Sequence, residues 1–170
     1  MISDKMQKEL NEQVNKEFYS AYMYLAMSAY CNTIGLPGFA HWMRLQYEEE
    51  NMHVTRMYDY ILNQGGEIHL KAIEEPPTEY GTPIEVFEQT LEHEQFITKS
   101  IHKLMSLAVQ ETDYATQTFL QWYVTEQVEE EANVNDILLP LRMVGEDKSG
   151  LMLIDQQLSG RAAPTPPPEN

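Results

Sequence analysis

Apolar residues recur along this chain at alternating steps of three and four, the period of α-helices that bury one face. The pattern predicts four long helices, over about 4–32, 37–64, 83–111 and 113–144, and a short fifth from about Ser149 to Leu158. The turns after the first and third helices are short, whereas residues 67–83 contain three prolines and a glycine. We therefore predict an all-α four-helix bundle with a long crossover between the second and third helices and a short C-terminal fifth helix.

The core positions of the four helices can be written out from this period. The first two stripes are Leu10, Val14, Glu17, Ala21, Tyr24, Ser28 and Phe39, Met43, Gln46, Glu50, His53, Met57, Tyr60. The other two are Phe87, Thr90, Glu94, Ile97, Ile101, Leu104, Ala108 and Leu120, Tyr123, Gln127, Glu130, Val134, Ile137, Leu141. Each stripe is interrupted by polar residues near the middle of its helix. In an antiparallel bundle these interruptions are expected to meet at one level.

The spacing of the polar residues repeats between the two halves of the chain. Glu17 and Glu50 are 33 residues apart, as are Glu94 and Gln127, and the pairs Glu50–His53 and Gln127–Glu130 are each separated by 3. Two equivalent helical hairpins would produce this register. The repeat indicates one constellation of polar groups rather than scattered exceptions.

Buried carboxylates need a partner, because an unpaired charge in an apolar interior costs several kcal/mol and neighbouring carboxylates repel one another. Four carboxylates and one imidazole could hold two divalent cations, with Glu50 bridging them. Oxygen-rich ligands with a single nitrogen suit iron, whereas zinc usually takes more nitrogen or sulfur. The alternative is a non-enzymatic helical interaction or structural bundle, whose buried polar network only fixes the register of the helices.

Composition narrows the function further. With 27 acidic and 11 basic residues, the formal net charge of −16 repels nucleic acid and anionic membranes and attracts cations. The single cysteine excludes an intrachain disulfide, and no apolar run reaches the length of a membrane span. We expect a cytoplasmic protein with one domain over 1–160 and a disordered tail over 161–170, where four of ten residues are proline.

Four segments of the chain resemble the bacterial non-haem ferritins. They are "NEQVNKEFYSAYMYLAMS" at 11–28, "GFAHWMRLQYEEENMHVTRMYDYILNQGG" at 38–66, "LEHEQ" around Glu94 and "EQVEEE" at 126–131. The resemblance implies iron storage, with oxidation of Fe(II) to Fe(III) by dioxygen or hydrogen peroxide and deposition of ferric mineral inside a homo-oligomeric cage of 24 subunits. The ferritin-like bundle is also a standard example of di-iron chemistry on four helices.

The same resemblance implies roles for individual residues. The first iron would be bound by Glu17, Glu50 and His53, and the second by Glu50, Glu94 and Glu130. A third iron site nearby would use Glu49, Glu126 and Glu129, with Glu130 shared.

Further residues are implied around these ligands. Gln127 would hydrogen-bond to a ligand, and Tyr24, two turns beyond Glu17, would bond a ligand and supply an electron. Trp122 is a weaker candidate for the same role. The histidines outside the stripe positions are interpreted as surface or incidental residues: His41, His69, His93 and His102.

Related proteins with other chemistry differ at identifiable positions. A haem-containing bacterioferritin would carry Met directly after the bridging Glu, where this chain has Asn51. A rubrerythrin-like peroxidase would bring a second Glu-x-x-His and four cysteines. A twelve-subunit DNA-protecting relative would lack the fifth helix. We therefore expect iron without haem, and another di-iron oxidase or peroxidase is the alternative enzyme.

Overall fold

A computed structural model describes residues 1–165 and contains five α-helices over that range. Their bounds are α1 Asp4–Thr33, α2 Pro37–Asn63, α3 Pro83–Gln110, α4 Tyr114–Val144 and α5 Lys148–Leu158. All five predicted helices are present, with ends within one or two residues of the predicted ones. Within 1–165 no helix is both long enough and apolar enough to cross a membrane. The last five residues of the predicted disordered tail lie outside the described range.

Local sequence signals set most of the helix ends. The Ser3 hydroxyl accepts a hydrogen bond from the Met6 amide, at 3.0 Å, and so caps α1. Thr82 and Glu85 form a reciprocal capping box at the start of α3, and Asp113 caps α4 through the Thr116 amide. Each of these caps uses an amide that the helix itself leaves unpaired.

The long crossover runs along the bundle and is held to α1 at both ends. Near the start of α1, the Asn11 amide donates to the Glu67 carbonyl at 2.9 Å and its oxygen accepts from the His69 amide at 2.7 Å. Near the end of α1, the Tyr30 hydroxyl donates to the Gly81 carbonyl at 2.7 Å. This path returns the chain to the end where α2 began, so that α3 and α4 pack as a second antiparallel hairpin beside the first.

The interior consists of two apolar clusters separated by a polar layer. One cluster includes Phe39, Met43 and Phe87, and the other includes Leu10, Met57 and Ile101. We call the buried polar residues between them the polar layer: Glu17, Glu50, His53, Glu94, Gln127 and Glu130. The predicted stripes are buried as expected, except that Leu138 replaces Ile137 in the core. Ile137 is only half-buried because the step after Val134 in α4 is four residues rather than three, so that Leu138 faces the core before Leu141.

The short helix α5 supplies a cap that α2 lacks. Leu36 at the N-cap of α2 provides no side-chain hydrogen bond, but the buried Asp155 carboxylate accepts from the amides of Gly38 and Phe39 at 2.8 and 3.0 Å. A side chain at Gly38 would overlap the backbone carbonyl of Asp155. Glycine at this position therefore permits the close contact between the two helices.

Replacing Asp155 with alanine is expected to lower the free energy of unfolding by about 1–3 kcal/mol, because two buried amides lose their acceptor. Denaturant titration of the intact protein measures the change. Asp147→Ala is the matched control, since Asp147 caps α5 at an exposed position and its loss should cost less than about 1 kcal/mol. Equal losses in the two variants would contradict the capping role of Asp155.

Candidate metal centre

Glu17, Glu50 and His53 converge in the polar layer from α1 and α2. Each offers one ligand atom, and these three atoms lie within 4.8 Å of one another. All three side chains are buried, with 1–3% exposure. The His53 Nδ1 atom is 3.3 Å from Glu50 Oε2, because residues three apart share one face of a helix. The arrangement can hold one cation between two carboxylates and an imidazole.

A second group of potential ligands is formed by His53, Glu126 and Glu130, again with ligand atoms within 4.8 Å. Glu130 is buried, whereas Glu126 is half-buried at the edge of the bundle. These residues bring α4 to the same level as α2. The second hairpin therefore contributes at the register that the 33-residue spacing predicted.

Glu94 is held in place by two neutral donors. Its Oε1 accepts a short hydrogen bond from the Tyr24 hydroxyl, and its Oε2 accepts from Gln127 Nε2 at 3.1 Å. Glu94 is not in either group of three close ligand atoms found within residues 1–165. Its charge nevertheless raises the pKa of both Glu50 and Glu130, so the carboxylate lies at the same site.

Two more buried side-chain amides hold Glu17 and Glu130. Gln13 Nε2 donates to Glu17 Oε1 at 2.8 Å, and Gln46 Nε2 donates to Glu130 Oε2 at 2.9 Å. In contrast, Glu17 Oε2 and Glu50 Oε2 are buried and accept no hydrogen bond, although the Glu50 atom lies 3.3 Å from His53 Nδ1. An unpaired buried carboxylate oxygen is costly. Two of them side by side provide the geometry for a bound cation.

The electrostatics of the layer favour proton uptake when no cation is bound. Burial raises the pKa of Glu50 and Glu130 well above the ordinary value, and the neighbouring Glu94 raises both further. Burial also raises the pKa of Glu94 to about 7, although its hydrogen bonds from Tyr24 and Gln127 oppose the shift. The pKa of Glu17 is raised by burial and lowered in part by His53. A divalent cation would supply the positive charge that protons otherwise provide.

The residues predicted for a third site are less closely assembled. Glu49 lies beside the layer, but its Oε2 is paired with the Arg161 guanidinium at 2.7 Å. Glu129 is exposed and belongs to neither close group within the described residues. Glu126 is the member of this set that approaches His53 and Glu130. The charges of Glu49 and Glu129 raise its pKa, after burial, which has the largest effect.

Some residues around the site carried only a weak functional prediction or none. The Trp122 ring, predicted as a weak redox candidate, packs edge-on against His53 at 5.3 Å between centroids. His93, interpreted as a surface or incidental residue, is half-buried: its Nε2 lies 2.7 Å from Ser20 Oγ, and burial lowers its pKa to about 4. Gln13 could have been identified from the sequence, because it lies four residues, about one helical turn, before Glu17. Nothing local in the sequence indicates that Arg161 reaches Glu49.

Comparison with known proteins agrees with this geometry. The Ferritin-like domain family matches residues 7–144, which is most of the chain. This chain belongs to the ferritin family. The resemblance seen in its motifs is thereby confirmed, and so is the predicted fold.

Individual relatives of this ferritin match nearly its whole length. The bacterial non-heme ferritin of Bacteroides fragilis strain 638R is 44% identical over 161 residues, covering 95% of this chain and 100% of the relative. The bacterial non-heme ferritin of Campylobacter jejuni is 40% identical over 162 residues, covering 95% and 97%. The crystal structure of an open pore ferritin from the hyperthermophilic archaeon Archaeoglobus fulgidus superposes with a TM-score of 0.94 at 52% identity, covering 95% and 100%. As a ferritin, the chain is an iron-storage protein and a ferroxidase.

Proposed function

We propose that this ferritin oxidises ferrous iron at a di-iron centre inside each subunit. Glu17, Glu50 and His53 bind the first ion, and Glu50, Glu94 and Glu130 bind the second. This proposal is supported most directly by two buried carboxylate oxygens, one on Glu17 and one on Glu50, that accept no hydrogen bond. Cations at these atoms remove a desolvation cost that hydrogen bonds remove at the other carboxylates.

The reaction needs two electrons, and two ferrous ions held together supply them. Dioxygen is then reduced to the level of hydrogen peroxide, or hydrogen peroxide to water, while each iron becomes ferric. The protein contributes proximity and balanced charge. Tyr24 stays protonated because burial and the Glu94 charge raise its pKa well above 10, so that it keeps donating to Glu94. We assign it the positioning of Glu94. The resemblance also implies that Tyr24 can supply an electron, which would be additional to the two from iron and would be used only where dioxygen is reduced beyond the peroxide level.

Iron soaked into crystals under anaerobic conditions provides the direct test. Anomalous scattering should show two ions in the polar layer, one beside Glu17 and one beside Glu94. An empty layer would support the alternative of a polar network that only sets the register of the bundle. One ion in place of two would overturn the di-iron assignment but not the metal site.

A third site is proposed at Glu49, Glu126, Glu129 and Glu130, and the contact of Glu49 with Arg161 predicts weak occupancy. Because Arg161 neutralises Glu49 at 2.7 Å, a third ion must compete with an internal cation. Arg161→Ala should therefore increase third-site occupancy in the same soaked crystals, with the first two ions unchanged. Arg142→Ala removes an equal charge from an exposed pair with Glu88 and serves as the control. An equal gain in both variants would point to net charge rather than to Glu49.

The subunits of this ferritin are expected to assemble, and we propose a homo-oligomer of 24. Large apolar side chains are exposed on the isolated subunit near the end of α4 and on α5, namely Leu139, Met143, Met152 and Leu153, and grouped apolar exposure is typical of surfaces that become buried on association. The similar archaeal structures are an open pore ferritin and an engineered closed form, and ferritin neighbours of this kind are cage-forming oligomers. Native mass measurement gives the number of subunits. A cytoplasmic location remains a prediction.

A further inference from the structure

The buried Gln13 side chain connects an outer groove of the subunit to the Glu17 carboxylate. From the groove inwards, Lys16 Nζ donates to Ser100 Oγ at 2.5 Å, Ser100 Oγ donates to Gln13 Oε1 at 2.6 Å, and Gln13 Nε2 donates to Glu17 Oε1 at 2.8 Å. We call these three residues, Lys16, Ser100 and Gln13, the donor chain. Gln13 is fully buried and Ser100 is 6% exposed, so water does not compete with the inner bonds.

The direction of every bond in the donor chain is fixed by its two ends. A lysine ammonium group only donates, so Ser100 accepts from it, and the Ser100 hydroxyl donates to the Gln13 oxygen because the Gln13 NH₂ group faces Glu17. The Gln13 oxygen is thereby occupied, and its NH₂ group turns to Glu17, whose carboxylate only accepts when it is ionised, as it is when it binds a cation. Glutamine oxygen and nitrogen are normally interchangeable assignments. Here the lysine at one end and the carboxylate at the other permit one orientation.

This polarity has a consequence at the metal centre. The donor chain occupies Glu17 Oε1, while Glu17 Oε2 is the buried atom left without a partner. We infer that Gln13, oriented by Ser100 and Lys16, is a positioning residue that fixes Glu17 as a ligand through Oε2 alone. The inference rests on the proposed di-iron centre, and it identifies a residue that determines the geometry of the first iron site.

The groove also contains the control residue that a test requires. It has a volume of about 440 Å³ and is lined by Lys5, Lys16 and Lys103 among others. Lys103 is exposed in the same groove and is not part of the donor chain. The Lys16 ammonium group also lies over the Phe96 ring, at 5.9 Å from the centroid.

Anaerobic titration of the assembled, iron-free protein with ferrous iron tests the positioning role. Loss of an outer partner of a metal ligand typically costs 10–100-fold in affinity, so Ser100→Ala and Gln13→Met should each weaken the first ion about tenfold. Glu17 does not bind the second ion, so the dissociation constant of the second ion should be the same in the variants as in the wild-type protein. Ser100→Thr restores a hydroxyl and should recover most of the loss, and Lys103→Met should leave both affinities unchanged.

Five outcomes would overturn the inference. Unchanged affinity in both Ser100→Ala and Gln13→Met would show that Glu17 needs no positioning. Equal weakening of both ions would indicate general loosening of the bundle, as would a loss of assembly seen by native mass. The same loss in Lys103→Met would assign the effect to groove charge. If wild-type protein bound no ion through Glu17, the proposed centre itself would fail, and the donor chain with it.

Discussion

Glu50→Ala is expected to lower the initial rate of ferrous iron oxidation by at least about 100-fold. Loss of a residue that hydrogen-bonds to a metal ligand already lowers affinity or activity 10–100-fold. Glu50 is itself the ligand that we assign to both ions. Its removal therefore separates the pair that must supply two electrons together. The rate is measured from ferric absorbance after anaerobic ferrous iron is mixed with air-saturated buffer.

Glu48→Ala provides a matched control for this loss. Glu48 lies on the same helix, and its side chain is 42% exposed beside Arg44, so its removal changes the acidic count equally without entering the polar layer. The control should retain the wild-type rate within about twofold, since exposed ion pairs contribute little. Similar losses in the two variants would show that net negative charge, rather than a bridging ligand, governs oxidation.

The second large effect concerns the metal-free protein, which is expected to lose stability as the pH rises. Glu94 has its pKa raised from 4.5 to about 7, so between these values the folded protein binds protons that the unfolded chain has released. The contribution of Glu94 to the free energy of unfolding is therefore fully present below pH 4.5, the pKa in the unfolded chain. It is lost as the pH rises towards about 7, the pKa in the folded protein. At 1.36 kcal/mol per pKa unit, Glu94 alone corresponds to about 3 kcal/mol.

Other groups modify this trend but do not reverse it. Glu17, Glu50 and Glu130 have raised pKa values and act in the same direction as Glu94. His93 acts in the opposite direction, since its pKa is lowered to about 4 and its folded form excludes a proton. The four carboxylates outweigh the single imidazole. Exposed carboxylates with lowered pKa values, such as Glu12 beside Lys71, are screened by solvent.

Urea unfolding with a chelator at pH 5 and pH 7.5 measures the effect. We expect a lower free energy of unfolding at the higher pH, and its recovery when a divalent cation is added, because binding to the folded state alone stabilises it. Glu94→Gln should reduce the pH dependence, whereas Glu129→Gln, at an exposed position, should not. Stability that rises from pH 5 to pH 7.5 without metal would contradict the buried carboxylate cluster.

Much of the fold follows from short-range chemistry that the sequence displays. The helix ends come from Ser3, the capping box at Thr82 and Asp113, each of which acts on amides only a few residues away. The period of apolar residues identifies the buried faces, because solvent exclusion acts on every turn of a helix. The one misplaced core position, Ile137 in place of Leu138, lies where two adjacent residues are both apolar and the period alone does not choose.

The polar layer was also predictable, for a different reason. Buried carboxylates at Glu17, Glu50, Glu94 and Glu130 violate the apolar pattern in register, and such a violation is tolerated when a cation or proton balances it. The residues that orient these carboxylates were harder to find. Gln13 is one helical turn from Glu17, so a spacing argument could have identified it, but Ser100 is 87 residues from Gln13.

The sequence by itself determined five helices, their buried faces and the acidic set that faces a common interior, since each depends on spacing within a helix or on a repeated offset. The tertiary structure alone decided which oxygen of each carboxylate is satisfied, that Asp155 caps a helix more than a hundred residues away, and that Arg161 neutralises Glu49. Hydrogen bonds and ion pairs depend on fractions of an ångström between atoms. The period of a helix fixes the direction of a side chain, whereas the packing of distant segments fixes those distances.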